Sequence, residues 1–149
     1  MERIRKLALT FDGAPNPPAT LNVLAKLDEH GVKGTFFMEG HRIEKEPDTA
    51  REVKRRGHEI GNHSYSHPML DQIPLEEARV EIEKTDALLR EVVGVETKLV
   101  RPPAGALNHE LAAMLICMGY EIALWSPMVP IYDWAGPDAA AICRGILSN

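Results

Sequence analysis

Residues 58–68 are the most informative segment of the chain and read His58-Glu59-Ile60-Gly61-Asn62-His63-Ser64-Tyr65-Ser66-His67-Pro68. The first five residues predict a short β-strand, and the rest predicts a turn at its carboxyl end. A single helical turn brings side chains at i and i+4 onto one face. We therefore expect His63 and His67 to converge, and two neutral imidazoles so placed can bind one divalent cation.

Two further polar residues lie at the carboxyl ends of short apolar runs. Asp12 ends the run Leu9-Thr10-Phe11, and Arg101 follows an apolar run and opens the stiff segment Arg101-Pro102-Pro103. Enzymes with parallel sheets build their sites at the carboxyl ends of the strands. A histidine pair, a carboxylate and an arginine at that edge predict hydrolysis assisted by a metal ion.

Short apolar runs alternate with amphipathic segments along the whole chain. This βαβα series predicts a single α/β domain over residues 1–149, with a parallel sheet covered by helices. The predicted strands cover 4–11, 32–38, 58–62, 97–100 and 120–125, and the predicted helices cover 20–30, 46–56, 74–93, 108–119 and a segment after 137.

Composition narrows the classes of partner. The 149 residues are 44% hydrophobic and 26% charged, with a formal net charge of -5. An acidic chain argues against a nucleic-acid or anionic-membrane partner, which would favour a basic face. No apolar stretch approaches the ~20 residues that a membrane span needs, and no signal-peptide core follows the first charges. We expect a cytoplasmic protein, or an extracytoplasmic one if an export signal lies outside this sequence.

From about Leu7 onward the chain resembles the polysaccharide deacetylase family, also called the NodB-homology domain or carbohydrate esterase family 4. The resemblance rests on Thr10-Phe11-Asp12-Gly13-Ala14-Pro15, His63-Ser64-Tyr65-Ser66-His67 and Arg101-Pro102-Pro103-Ala104-Gly105. It implies a distorted, incomplete (β/α) barrel. It also implies a shortened C-terminal end, because the final strand with the family's last motif is not found.

The resemblance assigns roles residue by residue. Asp12 matches the catalytic base, and His63 and His67 match the metal ligands, with Ser64 supporting their loop. Gly13 stands where the family has a second aspartate that binds the metal. Arg101 would orient Asp12.

Two substrate contacts and one gap follow from the remaining motifs. The backbone N–H of Ala104 would face the oxyanion, and Trp134, at the end of a half-present fourth motif, would line a sugar groove. The histidine that serves the family as general acid is not matched. His109 is a candidate substitute.

The family implies zinc, with cobalt or another transition metal as alternatives, and Gly13 predicts weakened affinity. Catalytic zinc sites normally have three protein ligands. Asp12, a water molecule or Glu39, at the end of the second predicted strand, are the candidates for the third position.

The expected activity is removal of acetyl groups from N-acetylated sugars of the chitin or peptidoglycan type. One alternative is a catalytically impaired relative that binds sugar, and another is a cyclic amide or imide hydrolase on the same fold. An acetylated saccharide is the expected partner. An unfinished barrel would expose strand edges, which also predicts a homodimer.

Overall fold

A five-stranded parallel sheet forms the centre of the molecule. The computed structural model describes residues 7–126, 136 and 138–147. The strands are neighbours in the order in which they occur along the chain. Each neighbouring pair in the sheet is parallel, which confirms the predicted α/β class with parallel strands. The strands are β1 (Thr10–Ala14), β2 (Thr35–Met38), β3 (Glu59–Asn62), β4 (Leu99–Val100) and β5 (Glu121–Ile122).

Helices connect and cover the strands. Asn108 caps α5, since its side chain accepts a hydrogen bond from the backbone N–H of Leu111 at 2.8 Å. The predicted helix over 74–93 is α4, which continues as a π-helix over Leu89–Val93. The helices are α1 (Ala19–Glu29), α2 (Gly40–Lys45), α3 (Pro47–Arg55), α4 (Leu75–Leu88), α5 (His109–Cys117) and α6 (Ala139–Leu147).

The prediction of one helix over 46–56 missed α2. This helix has only six residues, which is too short for the periodic apolar pattern that reveals an amphipathic helix. Glu46 separates α2 from α3 with a non-helical backbone at φ −131°, and Pro47 opens α3, where a proline is well tolerated.

Residues 4–6 of the predicted first strand lie outside the described residues, residues 7–9 are not part of a strand, and β1 continues past Asp12 to Ala14. Its pairing with β2 shifts between Asp12, opposite Phe37, and Ala14, opposite Met38. Gly13 is therefore the extra residue of a β-bulge, and its φ of +74° lies in the left-handed region that favours glycine.

The core lies between the sheet and its covering helices. Phe36, Met38 and Ile60 pack from the sheet against Leu24 and Val53 of α1 and α3. Full burial of each such large side chain is worth about 1.5–3 kcal/mol. The packed sheet fixes the strand ends that carry Asp12, His63 and Arg101. In the part of the chain that the structure describes, no helix has the length and apolar character needed to span a bilayer.

Candidate active site

Arg101 organises the carboxyl edge of the sheet. Only 2% of its surface is exposed. Its Nη1 donates to Asp12 Oδ1 at 2.7 Å and to Thr10 Oγ1 at 2.9 Å, and its Nε donates to the Ala123 carbonyl at 3.2 Å. Its guanidinium carbon also lies 4.1 Å from the centre of the Phe37 ring. These contacts hold the Asp12 carboxylate in one orientation, while 26% of the Asp12 side chain stays exposed to solvent.

His63 is buried directly after β3, with 1% of its surface exposed. Its Nδ1 lies 2.7 Å from the backbone carbonyl of Arg101. A carbonyl oxygen can only accept, so Nδ1 carries the proton and Nε2 of the neutral ring keeps its lone pair. Burial lowers the pKa of His63, and the nearby carboxylates of Asp12 and Glu39 offset this only in part. The ring is therefore a neutral imidazole whose Nε2 has the lone pair that a cation requires.

His67 approaches His63 through a loop. The centres of the two rings are 5.0 Å apart, with their planes at 71°. The predicted helical turn is wrong, because Ser64 and His67 both adopt left-handed backbone conformations at φ 63°. The Ser64 hydroxyl accepts the backbone N–H of His67 at 3.2 Å, which closes the loop.

Glu81 of α4 holds this histidine loop, residues 63–67, from outside. Its Oε2 accepts the backbone N–H groups of Tyr65 at 2.9 Å and Ser66 at 2.7 Å, and its Oε1 accepts the Ser66 hydroxyl at 2.8 Å. One carboxylate thus satisfies two backbone donors between the two histidines. Sequence reasoning missed Glu81. The feature of the sequence that could have indicated its role is its position beside the buried stripe of α4.

Asn62 holds the same loop from inside the fold. It is fully buried, and its Oδ1 accepts the backbone N–H of Ser64 at 2.9 Å. Its Nδ2 donates to the Ile82 carbonyl at 2.9 Å and to Asp86 Oδ1 at 2.8 Å. Asp86 also accepts the Tyr120 hydroxyl, and burial together with this carboxylate raises the pKa of Tyr120. The network ties the loop to α4 and to the segment before β5.

The amino end of α2 completes the support of the histidine loop. The backbone N–H groups of Gly40 and His41 donate to the carbonyls of Ser64 at 3.0 Å and Tyr65 at 3.1 Å. A Cβ on Gly40 would lie 2.6 Å from the Tyr65 ring, so glycine permits this close approach.

The segment after Arg101 forms another wall of the edge. Ala104 is exposed with a left-handed backbone at φ 55°. Trp125 packs over the neighbouring Gly105, where a Cβ would lie 2.5 Å from its ring, and 49% of Trp125 is exposed. No motif singles out Trp125. Trp134, the predicted groove residue, lies outside the described residues.

The two remaining candidates occupy different surroundings. Glu39 is buried directly after β2, beside the bulge at Gly13. His109 is the first residue of α5 and is exposed. Among the described residues, no hydrogen bond or ion pair joins His109 to Asp12, His63 or His67.

The side chains present fit a divalent cation in part. His63 and His67 offer the nitrogen donors that zinc and related metals favour. Across residues 7–126 and the described part of the C-terminal helix, however, no three His, Cys, Asp or Glu side chains are arranged to hold a metal ion. The rings of His63 and His67 lie together, and no carboxylate joins them in a three-ligand group among the described residues.

The sequence matches the family described as polysaccharide deacetylase over residues 2–123. This chain therefore belongs to the polysaccharide deacetylase family. Membership implies a divalent metal cofactor.

A peptidoglycan-N-acetylglucosamine deacetylase of Bacillus cereus is 38% identical over 97% of this chain. The chain spans about half, 52%, of the length of that relative.

Solved structures agree with the fold. The peptidoglycan deacetylase PdaC from Bacillus subtilis superposes with a TM-score of 0.87 at 35% identity, over 95% of this chain and 68% of that one. BA3943 from Bacillus anthracis, described as a carbohydrate esterase family 4 pseudoenzyme, gives a TM-score of 0.88 at 25% identity, over 95% of this chain and 50% of that one. These likenesses confirm the predicted barrel-type fold of the family.

Proposed function

We propose that this chain removes acetyl groups from N-acetylated amino sugars of peptidoglycan, using a divalent cation bound by His63 and His67. The geometry that carries the proposal is the junction at Arg101. Its guanidinium donates to Asp12 at 2.7 Å, and its backbone carbonyl accepts His63 Nδ1–H at 2.7 Å. One residue thus sets the orientation of both the carboxylate and an imidazole. The names of the Bacillus relatives support peptidoglycan as the substrate.

Zinc is the cation we propose, because imidazole nitrogens are common zinc ligands. A bound cation of this kind acidifies water and polarises a carbonyl oxygen. Asp12 takes the proton from the attacking water, whose oxygen bonds to the acetyl carbon. The backbone N–H of Ala104 stabilises the oxyanion. The C–N bond then breaks, the nitrogen of the sugar takes up a proton from His109 as the candidate acid, and acetate leaves.

His109 is our candidate substitute for the unmatched family histidine, and Trp134 is our candidate for the sugar-binding wall. Arg101 acts on the reaction through Asp12 and is a positioning residue.

The experiment is acetate release from N-acetylglucosamine oligomers and from peptidoglycan fragments with zinc supplied. Asp12→Asn should reduce the rate by about 10²–10⁴-fold, the usual contribution of a general base. Glu59→Gln, at the amino end of β3, is the matched control and should leave the rate unchanged. Equal rates for wild type and Asp12→Asn would overturn the proposed role of Asp12.

A second candidate function is sugar binding without turnover. Gly13 and the lack of a third arranged ligand among the described residues favour it, and BA3943 provides a family relative described as a pseudoenzyme. Acetate release above that of a His63→Ala variant would reject this candidate. The names of the Bacillus relatives do not favour the cyclic amide alternative.

We also propose that two chains pair through a sheet edge. β1 and β5 are the outer strands of the described sheet, and Leu124 and Trp125 are exposed beside β5. Light scattering should give the mass of a dimer, and a monomer mass would contradict this pairing.

A further inference from the structure

Asp86 of α4 is a half-buried carboxylate that the proposed reaction does not use. Its Oδ1 accepts a hydrogen bond from Asn62 Nδ2 at 2.8 Å, and its Oδ2 accepts the Tyr120 hydroxyl. Within the described part of the chain, no basic side chain forms an ion pair with Asp86. Both of its oxygens are therefore held by neutral donors, one at the end of β3 and one directly before β5.

Asn62 connects Asp86 to the histidine loop. The Nδ2 group of this buried amide donates to Asp86 and, at 2.9 Å, to the Ile82 carbonyl, while its Oδ1 accepts the backbone N–H of Ser64 at 2.9 Å. A carboxylate and a carbonyl can only accept, so these two groups fix the orientation of the amide. The opposite orientation would turn its oxygen toward two acceptors and its NH₂ group toward the N–H of Ser64. Asp86 therefore helps to decide which group Ser64 meets.

Ser64 is the residue through which this contact reaches both histidines. It directly follows His63, and its hydroxyl accepts the backbone N–H of His67 at 3.2 Å. Its backbone is left-handed at φ 63°, a conformation that costs energy for a residue with a Cβ. Such conformations persist only where the surrounding contacts hold them. The hydrogen bond from Ser64 to the Asn62 amide is one of those contacts.

We infer that Asp86 is a positioning residue for the histidine loop, which acts through the Asn62 amide on Ser64 and thereby on the relative placement of His63 and His67. This inference rests on the proposed function, in which both imidazoles bind the cation. The negative charge of Asp86 strengthens its bond with the amide, because hydrogen bonds to ionised groups are stronger than those between neutral groups.

Glu81 and Asp86 hold different parts of the same loop. Glu81 accepts the backbone N–H groups of Tyr65 and Ser66 from outside, whereas Asp86 acts on Ser64 from inside the fold. Two acidic residues of α4 thus give the loop two independent supports.

The test combines acetate release at saturating zinc with the ¹H–¹³C NMR signals of the histidine rings in the metal-free protein. Asp86→Ala should lower kcat at least ~10-fold, as losses of outer support of a metal site typically do, with little change in KM. The ring signals of His63 and His67 should shift, whereas those of His58, at the opposite end of β3, should not. Glu77→Ala removes an exposed carboxylate from the same helix and should match wild type in every measurement.

Two milder variants test the same contact with less risk to the fold. Asp86→Asn keeps the size of the side chain and an oxygen for the Asn62 amide but removes the charge. Tyr120→Phe keeps the ring and removes the donor to Asp86. Both should lower kcat less than Asp86→Ala does and should shift the same ring signals in the same direction.

Exchange of the two groups isolates their contact. Asn62→Asp alone places two carboxylates face to face, and like charges at that distance repel. Asn62→Asp with Asp86→Asn again pairs an amide with a carboxylate, and this double variant should recover part of the lost kcat. The Ile82 carbonyl loses its donor in both proteins, so the comparison reports on position 86. A double variant no better than Asn62→Asp alone would overturn the inference.

Unchanged kcat with unchanged ring signals in a folded Asp86→Ala variant would overturn the inference and leave the proposed function standing. A lower kcat with unchanged ring signals would also overturn it, because Asp86 would then act by another route. Thermal unfolding shows whether Asp86→Ala is folded, and Asp86→Asn and Tyr120→Phe decide the question if it is not. Equal acetate release by wild type and His63→Ala would instead overturn the proposed function, and the ring signals would still show whether Asp86 positions the loop.

Discussion

His58 and His63 flank the same strand, β3, and both are buried, yet their ring nitrogens are arranged in opposite ways. At the amino end, the Gly34 backbone N–H donates to His58 Nδ1 at 3.2 Å. At the carboxyl end, His63 Nδ1 donates to the Arg101 carbonyl at 2.7 Å. A neutral His58 therefore carries its proton on Nε2, whereas His63 carries it on Nδ1.

The difference shows that the backbone group facing Nδ1, rather than burial alone, decides whether a histidine can bind a cation. His58 Nε2 is buried and has no hydrogen-bond partner among the described residues, and its ring packs edge-on at 5.3 Å from Phe36. His63 keeps the lone pair of Nε2 and has His67 beside it. The histidine at the amino end of β3 contributes to packing, whereas the histidine at the carboxyl end belongs to the candidate active site, as expected at that end of a barrel strand.

The largest effect we predict separates these two histidines directly. His63→Ala should weaken zinc binding more than ~100-fold, beyond the usual effect of losing a hydrogen-bond partner of a ligand. His58→Ala should leave zinc affinity within about twofold, although it removes packing against Phe36 and lowers stability. Competition with a chromogenic chelator measures both affinities. Equal losses in the two variants would show that burial, and not the arrangement of the ring nitrogens, controls the site.

Arg101 tests the connection between the carboxylate and the imidazole. Arg101→Met removes the guanidinium but keeps the backbone carbonyl that faces His63 Nδ1. We expect a loss of about 3 kcal/mol in the free energy of unfolding, at the low end for breaking a buried pair because Asp12 stays partly exposed. The kcat of deacetylation should fall, while zinc affinity changes little.

Urea unfolding and zinc titration of the same Arg101→Met preparation separate these effects. Arg101→Lys is the matched control, since it keeps the charge but cannot donate to Asp12, Thr10 and Ala123 in the same fixed geometry. A large loss of zinc affinity in Arg101→Met would contradict the assignment of the His63 contact to the backbone.

Glu81 tests the support of the histidine loop. Glu81→Gln keeps one oxygen that can take the place of Oε2, but it removes the negative charge that strengthens the bonds from the backbone N–H groups of Tyr65 and Ser66. We expect zinc affinity to fall about 10-fold, as for other losses of outer support, with a stability loss of about 1–2 kcal/mol. Glu83→Gln, exposed on the same helix, is the control. Equal zinc affinities in the two variants would show that Glu81 does not position the loop.

The carboxyl-edge positions of Asp12, His63 and Arg101 could be predicted because each follows or ends a short apolar run in a βαβ series. The left-handed turns at Ser64 and His67 could not, because neither residue is the glycine that usually marks such a conformation. Glu81 lies 15 residues from Ser66, and no local pattern specifies which acidic residue of a helix meets a distant loop. Glu39 was a candidate only through its strand, and its contact with the Gly13 bulge required the register of β1 on β2.

The smallest effect we predict is a pH dependence of stability that originates at His58. Burial, followed by the nearby charge of Lys33, lowers the pKa of His58; Arg56 adds to this effect and Asp28 opposes it. As the pH falls below about 6.5, the unfolded chain binds a proton on this histidine before the folded protein does. The free energy of unfolding should therefore decrease as the pH falls through this range, until the folded pKa is reached.

His58→Gln removes the titration and keeps an amide oxygen that can accept the Gly34 backbone N–H. Urea unfolding of both proteins between pH 7.5 and 5 isolates the contribution of His58, since the other groups are shared. The free energy of unfolding of wild type should fall more steeply with decreasing pH than that of His58→Gln. Parallel curves would mean that His58 takes up a proton equally well in the folded and unfolded protein. Burial would then not lower the pKa of the histidine at the amino end of β3.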